Sequence, residues 1–122
     1  MLEIEAIEKE LNYKFPNDYK EYMDNNNPLK FGNKIVEFCN NEKVFGCLLS
    51  FDPNSVYFIL KWQKYLYECE SKLIAIGEFA FGDILCFDRQ TNNLVIYFHE
   101  TGETGILAVD FTNFLSNLKE ME

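Results

Sequence analysis

GEFAFGDILCFD (residues 77–88) sets two phenylalanines around Ala80, then Gly82-Asp83, then an apolar run that reads as a strand. A phosphate-binding P-loop needs its glycine turn to lead into a helix with Lys and Ser/Thr, whereas Gly82 leads into a strand. A glycine here suits a backbone turn that a side chain would obstruct. The stretch therefore reads as the joint between two strands, KLIAIGEF (72–79) and ILCFD (84–88). Asp83 has two readings: it ties that turn through local hydrogen bonds, or it faces a partner.

Moving outward, LVIYFH (94–99) is the next strand, joined through RQTNN (89–93) as a five-residue hairpin connection. ETGETG (100–105) is turn-rich and leads into ILAV (106–109). Upstream, KIVEFC (34–39) and VFGCLLSF (44–51) flank a turn-like NNEK (40–43), a second hairpin in which Gly46 marks a bulge or a close backbone approach. Helical periods occupy the rest. In LEIEAIEKELNYKF (2–15), Ile4, Ile7 and Leu11 form one stripe, with Glu3, Glu8 and Glu10 off it. NDYKEYMDNNN (17–27) follows as a short helix capped by Asn17, with Tyr19, Tyr22 and Met23 inward. In DPNSVYFILKWQKYLYECE (52–70), Asp52 is the expected cap and Pro53 the first helical residue. Its apolar residues Val56, Tyr57, Ile59, Leu60, Trp62 and Leu66 nearly encircle it, so the sheet should cover much of it. Asp110 caps FTNFLSNLKEME (111–122), where Phe111, Phe114, Leu115 and Leu118 recur at helical spacing. The sum is a single α+β domain over residues 1–122. A central, largely antiparallel sheet has helices packed around it, with helices at the N- and C-terminal ends.

Charge narrows function. Twenty acids face eleven bases, a formal charge of −9, and Arg89 is the sole arginine. Such a chain repels nucleic acid, whose binders need a basic footprint, and repels anionic membranes for the same reason. The acid excess either keeps the protein soluble or steers a basic partner. The cysteines at 39, 47, 69 and 86 form no CxxC pair, and His99 is the single histidine, so no zinc ligand set is legible. Cys47 and Cys86 sit in apolar runs and read as small hydrophobes. The acidic start MLEIEAIEKE is unlike a signal peptide, and no apolar run approaches the ~20 residues of a membrane-spanning helix. The expected location is the cytoplasm, without cofactor or metal. Exposed strand edges leave dimerisation open.

Catalysis by a hydroxyl or thiol would depend on His99, which alternates with Val95 and Tyr97 and reads as an ordinary strand histidine. The acid pairs Asp83 with Asp88, and Glu100 with Glu103, read as solvated turn residues. Trp62 is either core or an interface anchor.

FPNDYKEYM (15–23), LIAIGEFAFGDILCFD (73–88), LVIYFHE (94–100) and LAVDFTNFLSNL (107–118) together resemble the SUKH superfamily, the Smi/Knr-like domains, in order and over residues 4 to 118. The chain departs from that pattern at NNNPLKFG (25–32), where the family has Gly-Gly, and at the bulky FAF (79–81). The resemblance implies an α+β domain with no catalytic residue set. It also implies a bacterial immunity protein that binds and neutralises a cognate toxin, in many cases a nuclease with a basic surface. Fungal relatives act instead as regulatory adaptors, and a small hydrolase working through acids and His99 is a third class. From the family motif, the expected partner-binding residues are Glu78, Asp83, His99 and Glu100 around the sheet-end loops, with Asp52 and Trp62 nearby.

Overall fold

The computed structural model describes residues 4–25, 27–67 and 72–120. Strands β1 (Lys30–Phe38), β2 (Asn41–Leu48), β3 (Leu73–Phe79), β4 (Ile84–Asp88), β5 (Leu94–Tyr97) and β6 (Thr104–Ala108) lie side by side in chain order. Each is antiparallel to the next, and the short β7 (Lys119–Glu120) adds antiparallel to the outer side of β1. The two strands that flank Gly82-Asp83 and the five-residue connection at 89–93 are as the sequence reads. The sheet curls strongly: Gly105 on β6 lies so close to the Phe38 ring on β1 that any side chain there would collide with it. Gly46 sits where the β2–β3 register shifts, and a Cβ there would meet the Glu78 carbonyl at 3.2 Å.

Helix α1 (Ile4–Leu11) brings Ile7 and Leu11 to the core, and α2 (Asn17–Asp24) and α4 (Phe111–Ser116) bring aromatic side chains. Tyr19 packs edge-on to Phe87 and Phe111, and Phe45 lies between Phe79 and Phe114. All of these rings are buried in one continuous core, which Cys86 joins as a small apolar residue. α3 (Ile59–Tyr67) packs on β3 at the point where β2 runs out. There Gln63, 2% exposed, replaces the missing strand: its Oε1 accepts from Ala75 N at 2.8 Å and its Nε2 donates to the Leu73 carbonyl at 3.0 Å. Two buried backbone groups that no strand reaches are thereby satisfied.

Five expectations need correction. Glu8 is buried, although it lies off the apolar stripe; its carboxylate accepts from Phe15 N at 2.7 Å and pairs with Lys20 at 3.2 Å, closing the α1–α2 connection. Asn17 does not cap α2, which is preceded by Pro16 without a side-chain cap; Asp18 instead accepts from Thr112 N and Oγ1 at the start of α4. The first hairpin turns through Cys39-Asn40, both at positive φ (51° and 65°), so Asn41 to Lys43 belong to β2. That pair of dihedrals is the two-residue turn whose twist matches the flanking strands. The third helix starts at Ile59, seven residues beyond Asp52, because Ser50 first bonds to Tyr57 and Ile59 through its backbone. Finally, the last helix ends at Ser116 and leaves Leu118 outside it, since the chain turns to pair β7 with β1. Asp110 does cap this helix, accepting from Asn113 N at 2.8 Å. Glu3 and Cys69 lie outside the described residues.

Candidate protein-binding face

At one end of the sheet, the β3–β4 loop and the β5–β6 loop meet. Gly82 has φ +94°, and a Cβ there would press on the His99 ring at 3.2 Å, so both backbone conformation and space call for glycine. Asp83 holds the other side of that ring. Its Oδ1 accepts from His99 N at 3.2 Å and from His99 Nδ1 at 2.9 Å, while Phe79 N donates to the Asp83 carbonyl at 2.8 Å and closes the loop. A carboxylate can only accept, so Nδ1 carries the proton and Nε2 faces outward, 4.0 Å from Glu100 Oε1. Asp83 thus ties the joint to His99, sixteen residues away, rather than by local hydrogen bonds, and the same side chain also lines a cleft.

Clefts open on both sides of this joint. One is lined by Glu42, Lys43, Ala80, Phe81, Asp83, Phe98 and the loop 99–103; Lys43 lies over the Phe98 ring, 5.2 Å from its centre. The other is lined by Val56, Lys61, Trp62, Tyr65, Gly82 and His99. His99 is common to both. The structure thus gathers Asp83, His99, Glu100 and Trp62. Glu78 lines neither cleft; it stands on β3 opposite Cys47 and Ile84, where burial raises its carboxyl pKa. Burial pushes the Cys47 thiol up to about 11, with Glu78 adding to the rise and Lys30 opposing it. Asp52 is also apart, accepting from Asn54 N in a local turn.

Sequence reasoning missed the most exposed apolar side chain of this end. Phe81 is 93% exposed and sits at φ 70°, ψ 14°, in the left-handed region. Tyr65 on α3 (48% exposed) is also uncovered, and Val56 (76%), expected on that helix, lies in the segment before it and faces solvent. Contrary to expectation, the sheet does not close over this region. A bulky FAF in place of small residues was the one signal available.

Among the described residues, no group of three or more His, Cys, Asp or Glu is arranged to hold a metal ion, and no helix is long and apolar enough to cross a membrane. No curated protein and no solved structure matches the chain. The SUKH_6 family model, described as SMI1-KNR4 cell-wall, matches residues 2–115. With that match running over nearly the whole sequence, the chain belongs to the SUKH_6, SMI1-KNR4 family.

Proposed function

We propose that this chain is a non-enzymatic binding protein of the immunity type, which neutralises a cognate protein toxin in the cytoplasm by tight association. Family membership supports a binding domain of this kind, and the acid-rimmed cleft is the observation that carries the choice of partner. Glu42, Glu100 and Glu103 stand exposed around it, with Lys43 drawn onto Phe98, on a chain of formal charge −9. A nuclease toxin must present cations to its nucleic acid, and an acidic protein can occupy that surface in place of the substrate. The His99–Asp83 pair has the form of a base and its orienting acid. Its bonds join two loops, which gives it a structural role without any reaction.

The test is co-expression with the toxin domain encoded beside the gene. Cells carrying both are expected to grow and to yield a stable complex. Death of the cells with no complex formed would sink the reading, and an adaptor role like that of the fungal relatives would replace it. Protection that survives His99→Ala separates binding from hydrolysis.

A further inference from the structure

Phe81 is in a conformation that a phenylalanine adopts only under constraint, and it projects into solvent from a loop that is firmly held. Left-handed backbone at a non-glycine residue is disfavoured by contact between Cβ and the carbonyl oxygen. Folding alone gives no reason to keep an aromatic ring there, because the side chain adds nothing to the core. Yet the loop is rigid. The Phe79–Asp83 backbone bond spans it, and Asp83 fastens it to His99 at two atoms. The ring is therefore presented rather than loose, which lowers the ordering cost of inserting it into a partner.

The surroundings match an interface. Val56 and Tyr65 are exposed beside Trp62 on one side of the loop, forming an apolar surface with aromatic members. Glu42, Glu100 and Glu103 rim the other side. Such acids oppose nucleic acid and anionic lipid and favour a basic protein surface. We infer that Phe81 is the anchor of the docking face. It inserts into an apolar recess of the toxin that is flanked by Lys or Arg, with Val56, Trp62 and Tyr65 packing beside that recess. This inference rests on the immunity reading and adds the face, the anchor and the chemistry of the partner's pocket.

The experiment measures binding of the full chain to the neighbouring-gene toxin domain, inactivated at its catalytic residue. Phe81→Asp, Phe81→Gly and Val109→Asp are compared with wild type. Val109 is 67% exposed and follows the far end of β6, so it serves as a control for surface charge. Phe81→Asp is expected to weaken binding by about 100-fold and Phe81→Gly by at least about tenfold, the range of a hot-spot truncation. Val109→Asp should stay within about threefold, as expected outside a hot spot. Melting temperatures at or above wild type for Phe81→Gly guard against misfolding as the cause. If wild type binds and Phe81→Asp binds within about threefold of it, the anchor is refuted while the immunity reading stands. Failure of wild type to bind removes both. Phe81-dependent binding to zwitterionic lipid vesicles in place of the toxin would also overturn the inference.

Discussion

Tyr19 shows how a single residue can be legible in position and hidden in energetics. The spacing of NDYKEYM (17–23) places it inward, and it is fully buried among Phe15, Phe51, Phe87 and Phe111. Its hydroxyl has no hydrogen-bond partner among the described residues, which the sequence could not reveal, because the rings of Phe51, Phe87 and Phe111 reach it from distant segments. Burial raises the phenol pKa far above its ordinary value of 10.0. Tyr19→Phe removes an unpaired polar atom without emptying the site, and should stabilise the protein by about 1 kcal/mol at pH 7. The sign of the pH effect follows from the raised pKa. Tyr19 stays protonated when folded, while the unfolded chain ionises above pH 10, so stability is full below 10 and falls as pH rises through the alkaline range. Each pH unit above that point removes about 1.4 kcal/mol through this one group, a slope that Tyr19→Phe abolishes. Urea titrations at pH 7, 10 and 11 check both effects; a variant no more stable at pH 7 and with an unchanged alkaline slope would show that the hydroxyl is solvated. The pairing of Asp83 with His99 was unreadable for a related reason. It depends on β4 and β5 lying side by side in register, with Ile84 opposite Tyr97, and that is a property of the sheet rather than of either loop.

At the scale of elements, the central strands, the 89–93 connection and the Asp110 cap are legible, whereas the starts of the second and third helices and the first hairpin turn are not. The strands read at 72–79, 84–88 and 94–99 are legible as short apolar runs bounded by turn residues, and the Asp110 cap follows from the N-cap rule. β5 stops at Tyr97, so His99 lies in the turn beyond it and not on a strand. The first hairpin turn is not legible because Cys39-Asn40 lacks the glycine that usually marks such a turn. The start of the third helix is not legible because Asp52-Pro53 has the composition of a helix start, while the backbone of Ser50 bonds to Tyr57 and Ile59 and holds the segment between out of the helix. β7 has no pattern of its own; its pairing with β1 is supported by contacts of Lys34 with Glu120 and of Lys119 with Glu37. Gln63 joins the third helix to the sheet, and it looked like an ordinary polar helix position. Replacing it by leucine keeps the approximate volume but leaves Ala75 N–H and the Leu73 carbonyl buried and unpaired. Each such group costs about 1–3 kcal/mol, so Gln63→Leu should destabilise by about 3 kcal/mol in urea unfolding. Native-state hydrogen exchange should lose protection at the Ala75 amide in particular. A loss under about 0.5 kcal/mol, with that amide still protected, would mean that water replaces the glutamine.

For the whole molecule, the binding proposed above would divide between two rates, one set by charge and one by surface shape. A formal charge of −9 acts over distance and concerns encounter, whereas Phe81 and its apolar neighbours act only in contact and concern release. The charge was legible in composition, and the family motif pointed to this end of the sheet. The ring at its tip was not legible, because alternation along a strand cannot announce a residue with positive φ. The division can be measured. Screening shortens the electrostatic range from about 30 Å at 10 mM salt to about 3 Å at 1 M. The association rate with the toxin domain should therefore fall by about 10- to 100-fold between those limits, with dissociation nearly unchanged. Phe81→Gly keeps the charge, so it should leave both the association rate and its salt slope near wild type while dissociation accelerates. Replacing Glu42, Glu100 and Glu103 with glutamine should do the reverse, flattening the salt slope with little change in dissociation. Stopped-flow mixing across the salt series reads both rates. An association rate that ignores salt would show that the acid rim does not steer the partner, and the −9 charge would then concern solubility alone.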